Sequence, residues 1–201
     1  LPNFDERVTL LDGDCKRGDL GLSKKTWADL AKEVKAVFHL AANSSFVATY
    51  EILRDDWMPS LVTLLEFCAA NGASIHMVGS VGRFAVEAHP TRRGVWTSGY
   101  MRTKCVQFAL FERFRKRGLT CSWVDCAYVI GTLESGGVNP GFHDSMWKAA
   151  AIQREVGVGF PGDATLVPVN LLVESLWLNA DQSAAKVAPL MSLRLKSILT
   201  S

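Results

Sequence analysis

The sequence predicts an α/β fold, an open parallel sheet with helices packed on both faces. Short apolar runs of strand length alternate along the chain with longer helical segments. The runs are continuously apolar, which is typical of strands buried on both faces of a parallel sheet. With 201 residues, 48% of them hydrophobic, the chain is long enough for one domain with a sizeable core.

The first elements are predicted to be a strand, a helix and a second strand. Arg7–Leu11 has the composition of a short strand, and the turn-rich segment 12–19 follows it. Ser23 is a good N-cap for a helix over Lys24–Val34. Ala36–Leu40 is apolar except for His39 and predicts a strand buried on both faces.

A long helix is predicted next, over Tyr50–Ala70. Pro59 predicts a kink or a restart within it, because proline removes a helix hydrogen bond. Asn71 and Gly72 are residues that commonly end helices. Ser74–Val78 predicts the next buried strand.

The second half of the chain repeats this alternation. A helix is predicted from Tyr100 to about Arg117, stopped by Gly118, and a strand follows over Thr120–Val129. The remaining predicted segments are a loop over Gly82–Val95, a glycine-rich loop over Ser135–Phe142, and helices near Asp144–Arg154 and Asn170–Asn179.

Polar and small residues follow the predicted strands. The positions at or just past a predicted strand end are Asp14, Ala41–Ser44, Ser80 and Cys126–Val129. Because ligands of open α/β sheets bind beyond the carboxyl ends of the strands, these positions predict a single site at one edge.

Tyr100 and Lys104 are four residues apart on a predicted helix, so they share one face. A nearby cation favours the phenolate and makes the phenol easier to ionise. A hydroxyl from a neighbouring strand, such as that of Ser80, would hold a substrate carbonyl, which gives a proton-donating site for carbonyl chemistry. The alternative is that Tyr100 and Lys104 form an ordinary surface pair on an amphipathic helix.

The bulk composition narrows the other possibilities. A net charge of +2 is too small to indicate a nucleic-acid partner or a membrane surface, and no apolar run is long enough to span a bilayer. Five cysteines without a CxxC motif favour reduced thiols in a cytoplasmic protein over disulfides or a zinc site. His39 and His76, within strands, are expected to be hydrogen-bonded core residues, and no metal site is expected.

Several segments, in the same order along the chain, resemble the extended short-chain dehydrogenase/reductase superfamily. More narrowly, they are similar to the thioester reductase domains that end nonribosomal peptide and polyketide assembly lines. The resembling segments are Arg7–Asp14, Val37–Ala42, Val78–Val81, Tyr100–Lys104, the loop Gly131–Asp144 and the late segment Leu166–Asn170.

The resemblance implies a Rossmann-like fold and a role for each catalytic residue. Tyr100 would protonate the oxygen of the carbonyl that receives hydride. Lys104 would bind the nicotinamide ribose and lower the pKa of Tyr100, and Ser80 would stabilise the developing oxyanion.

The cofactor implied by the resemblance is NADPH, which Tyr100 and Lys104 would also contact. The substrate would be an acyl or peptidyl chain on the phosphopantetheine arm of a carrier protein, released as an aldehyde or alcohol. The further cofactor-binding residues are Asp14 and Cys15 near the adenine, with Leu40, Ala41, Ala42, Cys126 and Val129.

The same resemblance divides the chain into two portions of one structural unit. Residues 1–132 are expected to form a partial dinucleotide-binding domain, and residues 133–201 a substrate-side portion. The first βαβ unit, with its glycine-rich phosphate loop, has no counterpart in the sequence, and the chain is expected to be part of a longer domain. The literal G-x-G-x-x-G at Gly157–Gly162 contains Pro161 and lacks a strand–turn–helix context, so it is rejected.

Three positions depart from the family pattern. Trp57–Leu61 replaces a segment that usually supplies an asparagine, Asp125–Ala127 replaces Arg-Pro-Gly, and Asn170 replaces an aspartate. These departures keep other hypotheses open. The alternatives are a redox-inactive release domain that cyclises its substrate in a Dieckmann-type condensation, a non-catalytic Rossmann-like module, and a nucleotide-sugar epimerase or dehydratase.

Overall fold

The computed structural model describes residues 7–45, 47–84, 98–132, 164–181 and 193–195. Its main sheet has three strands in the order β1-β2-β3, and both neighbouring pairs are parallel. A second three-stranded sheet, in the order β4-β5-β6, pairs β4 with β5 in parallel and β5 with β6 antiparallel. The strands are β1 (Ala36–His39), β2 (Ser74–Ser80), β3 (Cys121–Cys126), β4 (Tyr128–Ile130), β5 (Ala164–Pro168) and β6 (Leu193–Leu195).

Four helices and one 3₁₀ turn accompany these strands in the described ranges. Within those ranges, no helix combines the length and apolar character that crossing a bilayer requires. The elements are the 3₁₀ turn Gly18–Gly21 and helices α1 (Lys24–Glu33), α2 (Tyr50–Asn71), α3 (Gly99–Arg115) and α4 (Val169–Asp181).

The helix boundaries follow from local sequence as predicted. The Ser23 side chain accepts a hydrogen bond from the backbone N–H of Thr26 at 3.1 Å and caps α1. Gly72 ends α2 with a φ of 69°, and Gly118 follows α3 with a φ of 95°, both in the left-handed region that favours glycine. The prediction of α4 near residues 170–179 is also confirmed.

Alternate side chains of the main sheet enter two different cores. Ile75 and Trp123 belong to a core that includes residues of α2 and α3. Val124 and Cys126 belong to a second core with Leu172 of α4. Since successive strand residues point to opposite faces, helices cover both faces of this sheet, and the predicted doubly wound α/β arrangement is confirmed.

Two predictions about strands near the start of the chain are wrong. Residues 8–14 form no strand, and the side chain of Leu10 is 91% exposed. A strand needs a neighbour for its backbone hydrogen bonds, and the only described partner of β1 is β2. The side chain of Phe38 in β1 is 37% exposed, so β1 is not buried on both faces.

Other boundaries differ in detail. α2 continues through Pro59 without a restart. The strand predicted over Thr120–Val129 divides at Ala127 into β3 and β4, which belong to different sheets. Residues 82–84 are helical rather than loop. The rest of the predicted 82–95 loop, the glycine-rich loop over 135–142 and the helix over 144–154 lie outside the described residues.

Adding one methyl group at Gly79 tests the packing between β2 and β3. A Cβ there would clash with Nε1 of Trp123 and Oδ1 of Asp125, both buried side chains. We expect Gly79→Ala to lower the free energy of unfolding by about 1–3 kcal/mol, measured by denaturant titration. Gly18→Ala is the matched control, because a Cβ at Gly18 meets nothing within 4 Å. Equal stability of the two variants would contradict this packing.

Candidate active site

The ammonium group of Lys104 lies in the interior, between α3 and β2. Only 5% of the residue is exposed, and Nζ donates a hydrogen bond to the backbone oxygen of Val78 at 3.2 Å. Nζ also lies 5.0 Å from the ring centroid of Trp57 and 5.8 Å from that of Tyr100. Burial lowers the pKa of Lys104 to about 8, while Cys126 and Asp125 act in the opposite direction. Lys104 therefore titrates much nearer to neutral pH than an exposed lysine.

Tyr100 lies one helical turn before Lys104 on the same face of α3. Its ring packs edge-on against Trp57 of α2, with 6.0 Å between the ring centroids. The residue is partly buried. The structure therefore brings the phenol and the ammonium together on one side of α3, where the helical spacing predicted them.

Ser80 is the last residue of β2 and is buried. Its Oγ accepts a hydrogen bond from the backbone N–H of Gly82 at 3.3 Å. Gly82 in turn lies against the sulfur of Met101, the residue that follows Tyr100. The end of β2 is thus packed against the first turn of α3, which places the hydroxyl and the phenol on the same part of the molecule.

The start of α3 is fixed by a close approach to α2. A Cβ on Gly99 would clash with the backbone of Ala48, Thr49 and Tyr50, just before and at the first residue of α2. The Ser98 side chain accepts from the backbone N–H of Met101 at 3.5 Å and caps α3. Tyr100 therefore projects from a helix end whose position is set by backbone contact.

The residues just past the end of β1 are exposed and follow a buried histidine. Leu40 is 57% exposed, and Ala41 and Ala42 are also exposed. His39 is buried, which confirms its predicted place in the core, and its predicted hydrogen bond stays a prediction. Burial, and secondarily the positive charge of Lys104, lowers the pKa of His39 to about 4, so the imidazole is neutral at pH 7.

The turn that contains Asp14 and Cys15 is exposed and is tied to the loop after β1. Asp14 accepts a hydrogen bond from the backbone N–H of Lys16 at 2.9 Å. Lys16 forms an ion pair with Asp56 of α2 at 2.7 Å, and Asn43 donates to the same carboxylate at 3.0 Å. Asp56 therefore links this turn to the segment that carries Ala41 and Ala42.

Cys126 and Val129 occupy different sheets. Cys126 pairs in register with Ser80, and its Sγ donates to the backbone oxygen of Gly79 at 3.6 Å. Burial raises the pKa of its thiol to about 11, so the sulfur remains protonated at neutral pH. Val129 lies in β4 of the second sheet and is half-buried.

Three side chains at this site were not among the predicted site residues. Trp57 contacts both Tyr100 and Lys104. In the sequence, its segment differed from the family pattern only by lacking the usual asparagine. Arg83 and Asp125 form a buried ion pair close to Ser80. Asp125 did carry a signal, because a charged residue inside an apolar strand requires a buried partner.

The other buried histidine has a structural environment. The Ser74 hydroxyl lies 2.9 Å from Nε2 of His76, and the Ser122 hydroxyl lies 2.7 Å from Nδ1. Both ring nitrogens are satisfied, as predicted for a hydrogen-bonded core histidine. Within the part of the chain that the structure describes, no group of three His, Cys, Asp or Glu side chains is placed to hold a metal ion.

Comparisons with known proteins agree with the predicted resemblance. Residues 2–176 match the model of an NAD-binding family described as Male sterility protein. The chain is 39% identical over 69 residues to trichosetin synthetase PKS-NRPS1 of Gibberella fujikuroi, a stretch covering 34% of this chain and 2% of that protein.

Solved structures show the same fold. The terminal R domain from the myxalamid PKS-NRPS biosynthetic pathway has a TM-score of 0.81 and 20% identity, covering 97% of this chain and 54% of that one. A thiolation-reductase di-domain from an archaeal non-ribosomal peptide synthetase has a TM-score of 0.72 and 11% identity, covering 92% of this chain and 54% of that one. The chain thus spans about half the length of these solved chains, and its match covers 2% of the curated relative.

The buried ammonium of Lys104 predicts a specific dependence of stability on pH. Its pKa is lower in the folded state than in the unfolded chain, so the unfolded chain binds more protons between about pH 8 and 10.5. We expect the free energy of unfolding to rise with pH across this window, by about 3 kcal/mol if no other group contributes.

Denaturant titrations of the wild type and of Lys104→Met, repeated across this pH range, check the expectation. The methionine variant should lose the rise. Lys116→Met, which removes an exposed lysine at the end of α3, should keep it. An unchanged slope in Lys104→Met would show that Lys104 does not titrate in this window.

Proposed function

We propose that this chain, which belongs to the NAD-binding family described as Male sterility protein, is part of an NADPH-dependent reductase that releases a carrier-bound acyl or peptidyl thioester as an aldehyde or alcohol. The observation that carries the proposal is the buried Lys104 ammonium, 5.8 Å from the ring centroid of Tyr100 on the same face of α3. A buried cation is costly, and beside a partly buried tyrosine it is suited to proton transfer.

The described residues fit one end of a nicotinamide cofactor. The ammonium of Lys104 and the phenol of Tyr100 are hydrogen-bond donors of the kind that bind a ribose, and Ala41 and Ala42 present small exposed side chains that permit close approach. Within the described ranges, no glycine-rich loop at a helix start offers a place for the pyrophosphate. When bound, the cofactor supplies hydride to the substrate carbonyl carbon.

The chain's own residues supply the proton and the charge stabilisation. The Tyr100 hydroxyl donates its proton to the carbonyl oxygen as negative charge develops there, which gives a hemithioacetal. Cleavage of the C–S bond then releases the aldehyde, and the hydroxyl proton leaves with the phosphopantetheine thiol. The positive charge of Lys104 stabilises the phenolate that Tyr100 becomes. The Ser80 hydroxyl donates a hydrogen bond to the same oxygen, which stabilises the charge before the proton arrives.

Trp57 has a supporting role in this proposal. Its ring contacts the ring of Tyr100 and lies under the ammonium of Lys104. A cation over an aromatic face is stabilised by the ring quadrupole, which partly offsets the cost of burying Lys104. The same side chain packs against both reacting groups and limits their movement.

The proposed partner is a carrier protein with a phosphopantetheine arm. Support comes from the printed descriptions of the relatives, a PKS-NRPS synthetase and a thiolation-reductase di-domain. The proposal extends to the division of labour along the chain, with residues 1–132 on the cofactor side and residues 133–201 on the substrate side. Asp14, Cys15, Leu40, Cys126 and Val129 complete the proposed cofactor-side set.

The catalytic assignment is tested by removing one hydroxyl group. Incubating the full chain with NADPH and a carrier-bound acyl thioester should consume NADPH. We expect Tyr100→Phe to lower kcat by about 10²–10⁴-fold, because the general acid is lost while the ring remains.

The matched control is Tyr50→Phe, since the ring of Tyr50 lies 4.8 Å from the guanidinium of Arg102 and serves packing. Wild-type turnover by Tyr100→Phe would disprove the assignment. A cyclised product formed without nicotinamide would instead support the redox-inactive release domain.

The pH dependence of the reaction tests Lys104. Above about pH 8 the lysine loses its charge, so the phenolate form of Tyr100 is no longer stabilised and the rate should fall. Arg remains charged at all accessible pH values, so Lys104→Arg should move this decline to higher pH even where the rate is reduced. A decline at the same pH in both proteins would assign it to another group.

A further inference from the structure

Arg83 and Asp125 form a buried ion pair next to the candidate site. The two residues are 4% and 3% exposed. Nε and Nη2 of Arg83 donate to Oδ2 of Asp125 at 2.8 and 2.6 Å, and Nε1 of Trp123 donates to Oδ1 at 2.8 Å. Both carboxylate oxygens therefore have hydrogen-bond donors, as a buried carboxylate requires.

The pair joins the three elements that carry the site. Arg83 follows Ser80 by three residues, and Asp125 is the register partner of Gly79 on β3. The guanidinium carbon of Arg83 also lies 3.8 Å from the ring centroid of Phe108. Phe108 is one helical turn beyond Lys104 on α3, on the same face. The Arg83 side chain thus contacts the end of β3 and the face of α3 that carries Lys104. Arg83 itself belongs to the segment that directly follows β2.

The position of the pair argues for more than stability. Burying two charges costs desolvation free energy, and a pair of packed apolar side chains often stabilises a core as well or better. What an ion pair adds is a fixed geometry, because two nitrogens of Arg83 meet the same carboxylate oxygen while its guanidinium stacks on the Phe108 ring. The residues so fixed are the neighbours of Ser80 and Lys104.

We propose that the Arg83–Asp125 ion pair is the positioning element of the site. It holds the end of β2, the end of β3 and the Tyr100–Lys104 face of α3 in one arrangement, and it keeps the charge of Asp125 balanced by Arg83 rather than by Lys104. Neither residue touches the reacting atoms. The significance for catalysis rests on the function proposed above, whereas the positioning itself does not.

The charges around Lys104 make the proposal measurable. Asp125 and Cys126 face it from β3, His39 from β1 and Tyr100 from its own helix. Asp125 raises the pKa of Lys104 against the larger effect of burial. Arg83 faces Asp125, and it also faces Glu112 of α3, whose pKa it helps to lower. Removing Arg83 leaves Asp125 without this cation, so its field acts more strongly on Lys104.

The experiment is a titration of Lys104 in the full chain by NMR, with ¹³Cε-labelled lysine and Lys104→Arg to assign the signal. The wild-type midpoint should lie near pH 8. Asp125→Asn, which is isosteric, should move it to lower pH, and Arg83→Met should move it to higher pH. Arg83→Lys should fall between Arg83→Met and wild type, because it keeps the charge and loses the pair of guanidinium nitrogens that meet Oδ2 of Asp125.

Asp29→Asn is the matched control. It removes a carboxylate from an ion pair with Lys32 on the exposed surface of α1, and the Lys104 midpoint should not change. If Arg83→Met fails to fold, Asp125→Asn and Arg83→Lys decide the matter. A Lys104 midpoint in Asp125→Asn equal to that of wild type would overturn the proposal. So would failure of Asp125→Asn to fold, because that would make the pair a requirement of the whole core.

A second readout separates this inference from the proposed function. With NADPH and a carrier-bound thioester, Asp125→Asn should lower kcat at least tenfold while KM changes by less than threefold, since the substrate contacts remain and the acid is misplaced. If the wild type shows no reductase activity, the proposed function fails, while the shifts of the Lys104 midpoint still test whether Arg83, rather than Lys104, balances the charge of Asp125. Equal kcat in wild type and variant, with shifted midpoints, would overturn the positioning role and leave only an electrostatic one.

Discussion

The structure depends on one costly placement, the burial of the Lys104 ammonium between α3 and the main sheet. Taking a cation out of water is unfavourable unless polar groups or ring faces replace the lost hydration. The carbonyl of Val78 and the faces of Trp57 and Tyr100 provide that replacement. Each contact comes from a different element, so the lysine is tolerated only when β2, α2 and α3 are correctly assembled. The residue assigned to the proposed chemistry can therefore be buried only in the correctly assembled fold.

Close backbone approach makes this assembly possible. Gly79, Gly82 and Gly99 each lie where a Cβ would clash with a neighbouring group. Those neighbours belong to β3, to the first turn of α3 and to the start of α2, respectively. Glycine at these positions lets the four elements meet at one edge with short distances between them. A looser arrangement would admit water around Lys104, and its pKa would return towards that of an exposed lysine.

The sequence predicted the parts of the molecule that local physics determines. Helix ends were predictable because Ser23, Gly72 and Gly118 act through their own backbone and neighbours. The shared face of Tyr100 and Lys104 was predictable because the helical repeat is fixed. The strand expected at residues 7–11 was not correct, since strand formation depends on a partner that composition cannot supply.

For a related reason, the sequence did not predict three of the site residues. Arg83 and Asp125 are 42 residues apart, and their pairing follows from the register of β2 against β3. Trp57 reaches Lys104 only because α2 and α3 pack together. Such contacts depend on tertiary geometry, and the sequence offered just one indication, a charged residue within an apolar strand. A charged residue within a predicted buried strand therefore predicts a buried partner of opposite charge.

The site keeps two buried charge systems close together without letting them neutralise each other. Lys104 is a cation held by dipoles and rings, and Asp125 is an anion held by Arg83. If Asp125 paired directly with Lys104, the lysine pKa would rise and its ammonium would be tied to a carboxylate rather than directed at the phenol. Because Asp125 pairs with Arg83, Lys104 stays charged at neutral pH, and nearby anions balance its charge only weakly. In this state the charge of Lys104 stabilises the phenolate of a neighbouring tyrosine most strongly, because Asp125 does not neutralise that charge.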